Sequence, residues 1–228
     1  MNGIYNKNQN GKDDTKIYLA IKEAIQNGAF PPGYRLVERD LAKQFGASRT
    51  PVRTAINRLT IEGYIDQSHY KGAVVKRLSA KDIVHLLELR ESLEGMACRL
   101  AAKHAGEEDK IELVNIIKHM EESVEKNDFI KYYSLSGELH KKIMECCDNP
   151  PLFELAERVN LQTTRYQFRN ILVPGRIKES TKEHAEIVDS IIKGDGDEAE
   201  KVMRKHISIV KEMLFNSIQV EGDLFLNI

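Results

Sequence analysis

Residues 38–63 read ERDLAKQFGASRTPVRTAINRLTIEG, and this stretch decides the fold of the first third of the chain. Leu41, Ala42 and Phe45 form the apolar stripe of a short helix that runs into Gly46, whose freedom at positive φ permits a tight turn. Ser48 is placed to cap a second helix. Pro51 falls in that helix's first turn, where a missing N–H leaves nothing unpaired, and Val52, Ile56 and Leu59 recur at helical spacing. Two short helices joined by a Gly-containing turn make a helix-turn-helix, whose second helix enters a DNA major groove. Arg49, Thr50 and Arg53 lie at or near the N-terminal end of that helix and off its stripe, where donors reach phosphates and base edges. The plainer alternative is an αα-corner with a solvated charged face.

Outward from this stretch, Ile17, Ala20, Ile21, Ala24 and Ile25 predict a one-sided helix from Asp14 to Gly28, followed by a turn at Pro31-Pro32-Gly33. The lead MNGIYNKNQNGKDD has no apolar signal-peptide core, and residues 1–13 read as a disordered polar segment. Beyond Gly63, Tyr64-Ile65 and Ala73-Val74-Val75 read as two short strands around a loop holding His69, Tyr70, Lys71 and Gly72. Such a hairpin is a wing whose tip, Lys71 and Gly72, suits a phosphate or the minor groove; otherwise it is an ordinary loop.

Charge divides the chain at the same place. Up to Leu78 there are 13 Lys and Arg against 7 Asp and Glu, a balance of +6; beyond it 21 stand against 28, a balance of −7. A basic module fused to an acidic one suits a nucleic-acid binder joined to a part with another task. No apolar run reaches 18 residues, so no membrane span is expected, and the reading is cytoplasmic. Cys98, Cys146 and Cys147 lack C-x-x-C spacing and read as buried free thiols rather than a disulfide framework or zinc knuckle.

From residue 79 the pattern is helical throughout. Ser79-x-x-Asp82 resembles a capping box, and six helices are expected at about 81–105, 108–126, 128–147, 151–172, 181–193 and 197–218. Ser180-x-x-Glu183 reads as the cap of the fifth of these. The expected architecture is mainly α: a winged helix-turn-helix over 1–78, then an all-α antiparallel bundle over 79–228. Helical spacing sorts the histidines of the bundle. His85 and His119 share faces with acidic residues and read as solvated, while His104 is ambiguous. His140, His184 and His206 each fall on the inner stripe of a separate helix. One buried imidazole is ordinarily a packing residue; three on facing helices are what a metal or ligand site in a bundle core requires.

The run FPPGYRLVERDLAKQFGASRTPVRTAINRLTIEGYI followed by KGAVV, from Phe30 to Val75, resembles the winged helix of GntR-family bacterial transcription regulators, and its G-x-SRTPVR core is similar to the FadR subfamily. Val37 stands where Ser or Pro is frequent and Thr54 where Glu is usual. The DNA-binding set is read as Arg39, Ser48, Arg49, Thr50, Arg53, Lys71 and Gly72. The later segments ELRESLEGMACRLAA, the His140 to CDNPPLF run and EHAEIVDSIIKGDGDEAEKVMRKHI resemble the FCD effector domain. That resemblance implies a divalent metal, zinc or nickel, on His140, His184 and His206, with an Asp at the position where this chain has Ser136. The substitution leaves three readings: weak metal binding, a carboxylate recruited from the effector, or an organic acid without metal. Arg90 matches an arginine that faces the pocket in the family and suits a carboxylate; its alternative is a surface ion pair with Glu94. The reading as a whole is a homodimeric repressor that binds a pseudo-palindromic double-stranded operator and answers to a small carboxylate. The alternatives are a metal-dependent enzyme on the three histidines, which lacks an evident general base or nucleophile, and a sequence-neutral architectural DNA binder.

Overall fold

The computed structural model describes residues 7–26, 28–68, 72–171 and 173–221, with the backbone alone for 7–13, 164, 165, 167–171 and 218–221. The chain divides into two compact units on either side of the Ser79–Ala80 link.

In the first unit, α1 (Lys7–Gln26), α2 (Glu38–Phe45) and α3 (Arg49–Ile61) pack beside a small antiparallel sheet of β1 (Arg35–Leu36), β2 (Ile65–Ser68) and β3 (Gly72–Val75) in the order β1-β3-β2. The helix-turn-helix forms as its residues require. Gly46 takes φ 62°, and its N–H reaches back to the α2 carbonyls, closing that helix. Val52, Ala55, Ile56 and Leu59 of α3 are buried with Leu41 and Ala42 of α2. Ser48 occupies the N-cap position of α3 in extended conformation, but its hydroxyl makes no capping bond. Val37 likewise gives α2 no side-chain cap, and Thr54 donates its hydroxyl to the Thr50 carbonyl at 3.2 Å. Tyr18 of α1 donates to both carboxylate oxygens of Glu62, at 2.9 and 2.7 Å, which ties α1 to the end of α3.

Two expectations change here. The first helix begins at Lys7 rather than Asp14, so from residue 7 onward the lead read as disordered over 1–13 is helical. A third strand, β1, was not anticipated: its two residues pair Arg35 with Val74 and Leu36 with Ala73, placing β3 between β1 and β2. The wing hairpin is present, with Ser68 opposite Gly72. Its tip residues His69, Tyr70 and Lys71 lie outside the described residues.

The second unit is built of α4 (Ala80–His104), α5 (Glu107–Glu125), α6 (Phe129–Cys146), α7 (Pro150–Ile171), α8 (Arg176–Ile192) and α9 (Gly196–Glu221). Five of the six expected helices start within one residue of the reading. Polar side chains open several of them: Asp128 accepts from the Lys131 N–H, Asn149 from that of Leu152 and Asp195 from that of Glu198. The exception is α8, which starts at Arg176 and not at 181. Gly175 takes φ 81° there, so the backbone turns into the helix five residues early, and Ser180 is a buried residue of its second turn, not a cap. The core runs through Cys98, Leu113, Met120, Tyr132, Leu139, Ile187, Ile191, Met203 and Ile207, drawn from α4, α5, α6, α8 and α9.

All three cysteines are buried and free. Burial, with the nearby Glu94 carboxylate, pushes the Cys98 thiol well above its ordinary value, and burial raises Cys146 to about 11 and Cys147 in the same direction. Because the thiolate is the nucleophile, the native protein is expected to resist a chromogenic disulfide reagent at pH 7.5 over minutes, and to yield all three thiols once unfolded in guanidinium. Rapid native reaction of even one thiol would contradict this packing.

Candidate functional site

His140 on α6, His184 on α8 and His206 on α9 point to one place in the bundle core. Their candidate ligand nitrogens all lie within 4.8 Å of one another, and the rings are 3 %, 0 % and 4 % exposed. His85 and His119 are exposed, and His104 is exposed with its Nδ1 donating to the Cys147 carbonyl at 3.1 Å.

Two charged relays converge on this centre. Arg90 of α4 holds Glu94, one turn later on the same helix, at 2.5 Å, and the other oxygen of Glu94 accepts from His140 Nδ1 at 2.5 Å. On the opposite helices, Arg176 grips Glu183 with both terminal nitrogens at 2.6 Å, and Glu183 accepts from His206 Nδ1, also at 2.6 Å. Burial disfavours a charge on Glu94, but Arg90 and His140 outweigh it and hold the carboxyl well below its usual range. Glu183 is brought down to about 2 against the same penalty by His206 and Arg176. Burial lowers His206 to about 4, with Glu183 opposing, and pushes His184 well below its ordinary value, reinforced by His206 and His140.

These relays set tautomers. A histidine whose Nδ1–H is given to a carboxylate presents a lone pair at Nε2. His140 Nε2 lies 3.2 Å from His184 Nε2, and His184 Nδ1 is a buried polar atom without a partner among the described residues. The donor set suits a divalent ion. Imidazoles bound at about 2.0–2.1 Å stand roughly 3.0–3.4 Å apart around a metal, which matches the 3.2 Å contact, and two of the three rings already have carboxylates behind them. The wider spacing of up to 4.8 Å requires the rings to draw inward by about an ångström. Ser136 sits one turn before His140 on α6, half-buried. Arg90 does pair with Glu94, as the plainer reading had it, but the pair is 3 % and 1 % exposed and belongs to the centre, not to the surface.

Glu183 and Arg176 were missed as site residues. In sequence Glu183 has the place of a capping-box glutamate and Arg176 precedes the expected helix, so periodicity puts neither on the inner face. The spacing Arg90 to Glu94 was visible, but the second contact of Glu94, to a histidine 46 residues away, was not.

In the first unit, Arg39, Ser48, Arg49, Thr50 and Arg53 are all exposed, and Arg39 pairs locally with Asp40 at 3.2 Å. Gly72 opens β3 at φ 70°. One acidic residue was overlooked: Glu38, the first residue of α2, binds Arg53 Nε and one Arg53 Nη at 2.9 Å, and an Arg49 Nη at 3.0 Å.

Comparison with known proteins agrees with both halves. The family model described as "Bacterial regulatory proteins, gntR family" matches residues 14–75, and the FCD domain model matches residues 85–208. The chain is 31% identical over 180 residues to the Nta operon transcriptional regulator of Aminobacter aminovorans, covering 78% of this chain and 83% of that one. It is 29% identical over 189 residues to a probable D-xylose utilization operon transcriptional repressor of Paenarthrobacter nicotinovorans, covering 81% and 80%. Among solved structures, E. coli McbR/YncC superposes with a TM-score of 0.76 at 20% identity, covering 90% of this chain and 98% of that one, a likeness of fold. No described helix is long and apolar enough to cross a membrane. With a GntR-type winged helix followed by an FCD domain, the chain belongs to the GntR family of bacterial transcription regulators and is a DNA-binding regulator rather than an enzyme.

Proposed function

We propose that the chain is a cytoplasmic repressor acting as a homodimer on a pseudo-palindromic operator, and that a small carboxylate bound at the three-histidine centre changes its hold on DNA. The observation that carries the sensor reading is the pair of Arg–Glu–His relays. A bundle core that needed only packing has no use for one buried and one largely buried ion pair, which cost desolvation and are commonly matched or bettered by apolar residues. DNA recognition rests on the exposed N-terminal end of α3, with Arg49, Thr50 and Arg53, supported by Arg39, Ser48 and the wing residues Lys71 and Gly72. Two-fold symmetry follows from the small DNA surface that one winged helix covers. The relatives quoted above are named for operons, one as a repressor, which supports control of a catabolic operon by a metabolite of its pathway.

A zinc or nickel ion fits the three imidazoles, and when bound it would supply a positive anchor for an acid. Arg90 adds a fixed cation beside it, and Glu94 and Glu183 keep His140 and His206 turned toward the centre. Ser136 offers a neutral hydroxyl at the position one turn before His140, so a bound ion would be held by three neutral rings without a carboxylate of the protein's own.

The test is a gel shift on the DNA upstream of the gene, with and without a panel of hydroxy acids, keto acids and sugar acids. Release by one acid at micromolar to millimolar concentration supports the reading; a shift that no acid alters, or no shift on any upstream fragment, sinks it. Calorimetry gives a second expected result. Ser136→Asp should tighten zinc or nickel binding at least tenfold, because a carboxylate then joins three neutral rings; equal affinity in both proteins would place residue 136 outside the coordination sphere.

A further inference from the structure

Glu38 sits where a DNA reader has least use for negative charge. It is the first residue of α2, and its carboxylate reaches across the turn to α3, taking Arg53 Nε on one oxygen and both an Arg53 Nη and an Arg49 Nη on the other, at 2.9, 2.9 and 3.0 Å. The Arg53 hydrogen bond and, against desolvation, the Arg49 bond hold its carboxyl below the usual range, so at neutral pH it is ionised. Near phosphates, a carboxylate that cancels one of two arginines weakens charge-driven binding to any sequence. The stability it returns is small, because the two guanidinium groups are 64 % and 57 % exposed and pairs of this kind are largely offset by solvent.

We propose that Glu38 is a specificity-determining residue of the DNA-binding unit, gripping Arg49 and Arg53 as a pair so that their remaining N–H edges meet base pairs in one fixed geometry. The donor count permits it. A guanidinium has five N–H groups in a rigid fork; Glu38 engages one edge of Arg53 and one end of Arg49, which leaves each arginine donors for a base edge such as N7 and O6 of guanine. A long side chain held in advance loses less rotamer freedom on binding, and the benefit is realised only where the bases match the held geometry. Released from Glu38, the same arginines would find phosphates on any duplex. Glu38 is thus a positioning residue: it acts on sequence choice through Arg49 and Arg53.

This inference rests on the DNA-facing role proposed for those two arginines, so the experiment tests both. An operator is first selected with the wild-type protein from a random-sequence duplex library. Affinities for that operator and for a scrambled duplex of the same length and composition are then measured by fluorescence anisotropy over a range of salt. Glu38→Gln should lower the operator-to-scrambled ratio at least tenfold, with scrambled binding strengthened two- to fivefold and the log–log salt slope steeper by about one per subunit. Glu38→Asp keeps the charge but shortens the reach, so its ratio should fall while its salt slope stays at the wild-type value. Helicity and melting temperature are followed in both variants, and the aspartate variant stands as the test if the glutamine variant does not fold. A ratio within twofold of wild type in the folded variants, or a parallel change in both affinities, overturns the proposal and leaves Glu38 a structural tie between α2 and α3. Arg49→Ala and Arg53→Ala are run alongside. If they lose the operator while Glu38→Gln keeps its ratio, only the role of Glu38 fails; if they too bind like wild type, the recognition-helix reading fails with it.

Discussion

Alanine at Arg49 or at Arg53 is expected to weaken operator binding by about 1–3 kcal/mol for each recognition helix. In the proposed two-fold dimer the loss is counted twice, about 2–6 kcal/mol, or roughly thirty-fold to twenty-thousand-fold in affinity. The fold should be indifferent to either change, since both side chains are exposed and the partner they share among the described residues is Glu38. Wild-type circular dichroism together with lost binding to the selected operator is the expected result. Binding to scrambled DNA should fall far less, because one cation among many contributes to it. If both variants bind the operator as wild type does, the exposed end of α3 is a solvated face and DNA is read elsewhere.

The second large effect is expected at His184, which is fully buried and central to the cluster. His184→Ala should leave the operator affinity of the free protein close to wild type and remove its response to the acid. A regulatory coupling of about 1–3 kcal/mol, five- to 150-fold in affinity, would disappear. Zinc or nickel titration should lose its high-affinity phase in the same variant, because two imidazoles remain where three had converged. A histidine kept for packing predicts something different: a lower melting temperature, with the acid response intact. Thermal denaturation and anisotropy on one preparation separate the two outcomes.

The parts legible in the sequence were those set by neighbours in the chain. Gly46, Pro51 and the Val52, Ile56, Leu59 stripe act within a few residues of one another, so the helix-turn-helix could be read to within a residue. Strand β1 could not, because two residues are too few to show alternation and its pairing partner lies nearly forty positions on. The start of α8 went wrong through a genuine local signal. Ser180-x-x-Glu183 has the form of a cap, but Gly175 at positive φ had already begun the helix, and the glutamate was engaged with Arg176 and His206 instead. Periodicity turned three histidines inward, as the structure has them. It was silent about which carboxylate would stand behind which ring, since those partners arrive from other turns and other helices and depend on how the bundle packs.

Helix α4 begins immediately after the residue at which the DNA-binding unit ends, and Arg90 and Glu94 lie within its first four turns. Between Ala80 and Glu94 it contains neither glycine nor proline; the first glycine is Gly95, one position past the relay. An uninterrupted α-helix resists stretching and bending over this length, so its first turns behave as a stiff rod of about 1.5 Å per residue, roughly 20 Å in all. In the proposed sensor, a shift of Glu94 that accompanies binding at the centre would reach Ser79 through this rod and not through a flexible joint. A hinge placed inside it at an exposed position, such as Glu88→Gly, is expected to leave the centre able to bind and the message attenuated.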